Sequence, residues 1–158
     1  VGVRPEDGLQ ALSTFQNVKR RMEVRGTVRD ITVLDDFAHH PTAIATTVAG
    51  LRHKLGKGSG RILAVLEPRS NTMKLGVMKD RLAGSLVDAD LVFCYSRDLG
   101  WDAAAALASL GERAVVLDDL DGLVARIAAA ARPGDQVLVM SNGGFGGIHQ
   151  KLLTALAA

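Results

Sequence analysis

Apolar positions along the chain alternate between two periods. Ile31, Val33 and Leu34 within residues 30–34 favour a strand, and Ala43, Ile44, Thr47, Val48 and Leu51 then recur at helical offsets across residues 42–55. The exchange repeats downstream. Residues 61–66 predict a strand, and 73–87 predict one helix with Leu75, Met78, Leu82 and Leu86 inward. Strands are predicted at 89–95, 114–117 and 134–140, and helices at 101–110, 120–131 and 148–156. Unbroken apolar strands of this kind suit a sheet covered on both faces. Upstream, residues 5–12 predict a short helix with Pro5 in its first turn, suited to packing on a neighbouring domain. Met22 and Val24 alternate with Glu23 and Arg25 as a strand does, and residues 26–30 can return it as a hairpin. The fold class predicted is α/β: one domain over residues 1–158, a largely parallel sheet, helices on both faces and an antiparallel hairpin near the start.

Candidate chemistry gathers where residues 30–34 give way to the next helix, in Asp35, Asp36, Phe37, Ala38, His39, His40, Pro41 and Thr42. Turns at the carboxyl ends of parallel strands collect on one edge of the sheet. That edge would hold Asp36, His39 and His40, then Glu67, Arg69, Ser70 and Asn71, then Tyr95, Ser96 and Arg97, and lastly residues 142–147. Such a set predicts a site for an anionic ligand without establishing an enzyme. Asp36 can meet ribose hydroxyls or a water beside a metal-bound nucleotide, and His39 and His40 can donate hydrogen bonds, ligate a metal or accept a proton. The plainer reading is that Asp36 or Thr42 caps the helix and the histidines solvate a loop.

Lys19, Arg20 and Arg21 cannot all point one way on an extended strand. With Arg21 turned to the junction, its planar fork suits phosphate or carboxylate, and Arg20 then faces solvent. Gly143, Gly144, Gly146 and Gly147 flank Phe145 and allow close approach of a ligand to the backbone. They equally suit a flexible loop at a domain boundary, with Phe145 packing on an adenine or on a neighbouring domain. Residues 56–60 are glycine-rich but lack the phosphate-binding GxxxxGK[ST] spacing, which occurs nowhere in the 158 residues.

Composition narrows the classes. A 47% hydrophobic content supports a sizeable core, and with four Phe, one Trp and one Tyr that core must be mostly aliphatic. Nineteen basic and seventeen acidic residues leave a formal charge of +2, which argues against a nucleic-acid surface or a polybasic membrane anchor. A single cysteine, Cys94, excludes an intrachain disulfide and sits in an apolar run as a buried thiol would. Two adjacent histidines provide no closed zinc pattern. The chain has no secretory leader and no uninterrupted membrane span, so a reducing cytoplasm is the expected setting; its start at Val1 suits a processed chain or an excised domain.

The stretch from Phe15 to Val24, followed by the Asp35 to Thr42 motif, resembles the carboxyl-terminal domain of the Mur ligase family. Glu67-Pro68-Arg69-Ser70-Asn71-Thr72 and Ser141-Asn142-Gly143-Gly144-Phe145-Gly146-Gly147 narrow the resemblance to the branch that couples a cell-wall peptide rather than free L-alanine. It covers essentially the whole chain. The resemblance implies ATP-dependent amide ligation with magnesium, joining UDP-N-acetylmuramate to the tripeptide L-alanyl-γ-D-glutamyl-meso-diaminopimelate in cell-wall recycling. It implies Arg21 near the ATP phosphates, Asp36 near the ribose, and His39 and His40 on the nucleotide and incoming-amine side; Arg21, Asp36 and His40 are thus the catalytic candidates. Arg69, Ser70, Asn71, Asn142, Gly143, Gly144 and Phe145 become candidates for peptide recognition or closure. The family's sugar-binding and P-loop ATPase domains have no counterpart in these residues, so this chain alone is expected to be inactive. Two other readings stay open: the L-alanine-adding relative, and a nonenzymatic domain that binds a nucleotide or a partner.

Overall fold

The structure, a computed structural model, describes residues 2–13, 18–56 and 60–158. Residues 14–17, in the family-like stretch, and 57–59, in the first glycine-rich loop, lie outside it. Strands β1 (Glu23–Val28) and β2 (Ile31–Asp36) form an antiparallel hairpin. Strands β3 (Ile62–Leu66), β4 (Leu91–Tyr95), β5 (Ala114–Leu117) and β6 (Gln136–Met140) then build a six-stranded sheet in the order β1-β2-β6-β3-β4-β5, parallel from β2 onward. The predicted fold class therefore holds.

The alternation of side chains along each strand explains the two-faced core. In β3, Ile62, Ala64 and Leu66 join one apolar cluster and Leu63 and Val65 the other, and β6 divides Leu138 and Met140 from Val137 and Val139 in the same way. Helix α2 (Pro41–Leu55) covers the first face through Ile44, Val48 and Leu51. Helices α5 (Leu120–Ala130) and α6 (Ile148–Ala157) cover the second through Leu123, Ile127, Ile148 and Leu152. Each fully buried Leu, Ile or Val contributes roughly 1.5 to 3 kcal/mol. The outer amino-terminal helix α1 (Pro5–Ser13) forms as predicted and buries none of its residues.

Four boundaries differ from expectation. The hairpin turns at Arg29 and Asp30, both with positive φ (51° and 61°), so β1 runs on through Val28. Strand β2 continues through Asp35 and Asp36, which are buried strand residues rather than part of a polar turn. The single helix predicted over 73–87 is broken into α3 (Asn71–Lys74) and two 3₁₀ turns, Lys79–Arg81 and Ala83–Leu86. Gly76 turns left-handed at φ 72° against the Trp101 ring, and the break leaves Leu75 79% exposed while Leu82 and Leu86 stay fully buried. A shorter break occurs next: α4 covers only Ala103–Leu107 before a 3₁₀ stretch to Arg113.

Candidate functional site

Register places the carboxyl ends of β2, β6 and β3 side by side, with Asp36 opposite Met140 and Met140 opposite Leu66. The turns after these ends therefore share one edge. Alternation then separates the two aspartates at the end of β2. Asp36 turns to the α2 face, where its Oδ1 accepts from the Ala38 N–H (2.8 Å) and the Thr47 hydroxyl (3.4 Å), and its Oδ2 from the Met22 N–H (2.9 Å). Asp35 turns to the α6 face, beside Arg20 Nε at 3.3 Å and His149 Nε2 at 3.3 Å. Both carboxylates are buried, at 3% and 4% exposure. Two adjacent acids thus serve two different layers, and only Asp36 reaches the hollow beside α2.

That hollow, about 380 Å³, is lined by Arg21, Asp36, Phe37, His39, His40 and the first turns of α2. Its volume lies in the range of small-molecule sites. Four residues singled out in the sequence (Arg21, Asp36, His39 and His40) meet there. Helix α2 opens with His40 as N-cap, without a capping hydrogen bond from its side chain, and with Pro41 in its first turn. Neither Asp36 nor Thr42 caps it. His39 has its Nδ1 2.9 Å from the Phe37 carbonyl and packs edge-on between the Phe37 and His40 rings.

Arg21 is presented by a strained turn, with Arg20 and Met22 on either side at φ 59° and 49°. Such backbone persists only where its surroundings hold it. Here the Glu23 carboxylate takes the Arg20 N–H, Asp36 takes the Met22 N–H, and the Arg20 carbonyl accepts from the Phe37 N–H. The same bond from Arg20 is the chief cause that holds the Glu23 carboxyl below its ordinary range. Both guanidinium groups lie over the Phe37 ring, at 5.2 Å for Arg20 and 5.5 Å for Arg21.

Arg20 corrects the expectation that it faces solvent. Its side chain is 27% exposed, pairs with Asp35 and donates to the Ser141 carbonyl at 2.6 Å. It ties the Arg21 turn to the end of β6. Neither this role nor that of Phe37 was identified from sequence; the signal available was the pair of adjacent arginines and an aromatic ring between the acids and the histidines.

The remaining candidates lie beside a second turn pair, outside the α2 hollow. Ser141 Oγ donates to Glu67 and accepts from the Gly143 N–H (2.9 Å), latching the turn after β6 to the turn after β3. Arg69 lies against Gly143. Ser70 is the N-cap of α3, accepting from the Met73 N–H, while Asn71 and Gly144 are exposed. Phe145 corrects another expectation. At 1% exposure it belongs to the core and packs on Tyr95 at 5.7 Å, so its ring faces neither an adenine nor another domain. Cys94 is a buried thiol as expected, its pKa pushed up to about 12 by burial.

Among the described residues no group of three or more His, Cys, Asp or Glu side chains is placed to hold a metal ion. Nor is any helix of the described residues long and apolar enough to cross a membrane.

Comparison with known proteins agrees with this architecture. Residues 20–143 match the family model described as Mur ligase, glutamate ligase domain. The UDP-N-acetylmuramate–L-alanyl-γ-D-glutamyl-meso-2,6-diaminoheptandioate ligase of Escherichia coli K12 is 54% identical over 99% of the chain, which covers 34% of that enzyme. A UDP-N-acetylmuramate–L-alanine ligase of a Mycobacterium species (strain JLS) is 32% identical over the whole chain, again over 34% of its own length. The crystal structure of a murein peptide ligase from Psychrobacter arcticus superposes with a TM-score of 0.79 at 45% identity, across 99% of this chain and 34% of that one. The chain thus spans about a third of the length of the relatives it matches. By its motifs, its sheet order and this match, the chain belongs to the Mur ligase family.

Proposed function

We propose that this chain is the carboxyl-terminal recognition and closure domain of an ATP-dependent ligase that joins UDP-N-acetylmuramate to L-alanyl-γ-D-glutamyl-meso-diaminopimelate. The observation that carries the reading is the 54% identity to an enzyme of that name, against 32% for the L-alanine ligase, each over nearly the full chain. In such a reaction the sugar carboxylate takes a phosphoryl group from ATP, and the peptide amine displaces phosphate from the activated carbonyl. A cation near the transferred charge lowers that barrier by electrostatic stabilisation.

The residues of this chain fit one side of that chemistry. Arg21, propped on Phe37 and held by the turn around it, offers a guanidinium to phosphate oxygens at the rim of the α2 hollow. Asp36 anchors that turn from inside the hollow, and its Oδ2, which among the described residues accepts only from the Met22 N–H, keeps capacity for a ribose hydroxyl. His40 and His39 line the same wall, on the side proposed for the nucleotide and the incoming amine. The Arg69 guanidinium on the neighbouring turn pair suits a carboxylate of the peptide. Magnesium finds no cage among the described residues; in this reading it arrives with the ATP phosphates. The sugar-binding and P-loop parts belong to the remainder of a longer polypeptide, and a cytoplasmic setting completes the reading.

The test is a side-by-side kinetic comparison of the full-length enzyme with the tripeptide and with free L-alanine, at saturating ATP, magnesium and UDP-N-acetylmuramate. The tripeptide should be preferred in kcat/KM by at least two orders of magnitude, as several matched polar contacts permit. Comparable efficiencies would defeat the assignment. The 158-residue chain alone should form no product, and robust turnover by it would overturn the division of labour.

A further inference from the structure

We propose that Gly143 is a positioning residue for Arg69: its missing side chain is the seat on which the guanidinium is laid, and peptide selectivity depends on that seat. The proposal rests on the reading of Arg69 as a peptide contact. Its structural half stands independently.

Two ordinary reasons for a glycine fail at this position. Gly146 and Gly147 adopt positive φ, at 56° and 71°, but Gly143 is not among the positive-φ residues, so its φ does not demand glycine. Nor do the nearest atoms to an added Cβ belong to a helix or strand. What occupies the space is Arg69: a Cβ on Gly143 would lie 2.0 Å from Nη1, 2.7 Å from Cζ and 2.7 Å from Cδ. No other residue supplies the nearest atoms around that position.

The seat is itself fixed. The Gly143 N–H donates to Ser141 Oγ, Ser141 Oγ donates to Glu67, and the Glu67 carbonyl accepts from the Arg69 N–H at 2.8 Å. Donor and acceptor links therefore run through both turns from Gly143 to Arg69, and the packing of the Arg69 side chain against Gly143 completes the circuit. Apart from this seat, the guanidinium has no ion pair or side-chain hydrogen bond to any described residue. Shape rather than charge pairing places it, which leaves its five donors available to a ligand carboxylate.

A methyl group at 143 displaces the far half of a flexible, exposed side chain and leaves the backbone intact. Gly143→Ala should therefore keep the fold while moving Arg69, a combination that separates positioning from stability. In the full-length enzyme, Gly143→Ala should raise the KM for the tripeptide about tenfold, in line with one weakened charged contact, and leave the KM for ATP within about twofold. Arg69→Ala should do the same, and adding Gly143→Ala to it should have no further effect, because the seat has lost its occupant. Effects that multiply in the double variant would overturn the proposal, as would a silent Gly143→Ala beside a damaging Arg69→Ala. A crystal structure of the Gly143→Ala domain supplies the second measurement. Arg69 swung away from residue 143 upholds the positioning role even if Arg69→Ala leaves the tripeptide KM unchanged, in which case it is the peptide-contact reading that falls. Arg69 still seated there ends the proposal.

Discussion

The turn after β2 and the turn pair after β3 and β6 border one edge of one sheet, and they are built in opposite ways. The first is anchored from beneath by buried charge: Asp36 accepts from three donors, Arg20 bridges Asp35 to the Ser141 carbonyl, and a strained tripeptide is held between them. The second has polar groups with fewer answers. The Arg69 guanidinium rests on a glycine, and Asn142 Oδ1 is buried with no hydrogen-bond partner among the described residues. A buried group left in that state costs on the order of 1 to 3 kcal/mol, which a ligand donor can offset. Under the proposed function the contrast fits preorganisation on the Arg21 side, proposed to stabilise charge at the moment of reaction, and open binding capacity on the Arg69 side, proposed to choose the substrate.

The largest effect that would sharpen this contrast is on turnover. In the full-length enzyme, Arg21→Ala should lower kcat on the order of 10² to 10³-fold, the scale of removing one preorganised charge donor. Its urea midpoint should hardly move, since the Arg21 side chain is exposed. Equal loss of folding and turnover would make Arg21 structural and erase the distinction between the two turns.

Next in size is the anchor itself. Asp36→Ala leaves the Met22 and Ala38 N–H groups and the Thr47 hydroxyl without their shared acceptor, and should destabilise the domain by roughly 2 to 4 kcal/mol in urea unfolding. Asn142→Ala, on the other side, removes an unanswered group and should cost much less. A reversed order would mean that the second turn pair, not the first, is the rigid one.

The degree to which sequence revealed these regions follows the same division. Hydrophobic periodicity placed every strand to within a few residues and the three covering helices α2, α5 and α6, because strands buried on two faces and helices buried on one leave a direct imprint on apolar spacing. It failed at 73–87, where Leu75, Met78, Leu82 and Leu86 keep a helical spacing although the backbone breaks at Gly76 to seat Trp101, a tertiary contact no local window contains. The Arg29–Asp30 turn was hidden because it uses two positive φ values without Asn or Gly. At the site, residue types located the shared edge. They could not tell Arg20 from Arg21, since that depends on which carboxylate lies behind each, nor recognise Phe145 as core, since its neighbour Tyr95 comes from a strand fifty residues earlier.

The smallest effect concerns pH and the floor beneath the anchored turn. His149 stands where α6 meets β2, with Nε2 3.3 Å from Asp35 Oδ1 yet too poorly aligned to be satisfied by it. Burial lowers its pKa below the ordinary 6.5, ahead of the opposing pull of Asp35, and the nearby Arg25 and Arg20 act in the same direction as burial. The folded domain therefore favours a neutral ring. In the unfolded chain the ring takes up a proton as pH falls through about 6.5, so more protons are bound in the unfolded state and stability declines below that value. The decline levels off once pH passes the lower, folded pKa, and above 6.5 the group contributes no pH dependence. His149→Gln should flatten the urea stability profile between pH 7 and 5 relative to the parent, with little change at pH 8. A variant whose stability falls just as steeply would show that the histidine does not carry the acid sensitivity of this floor.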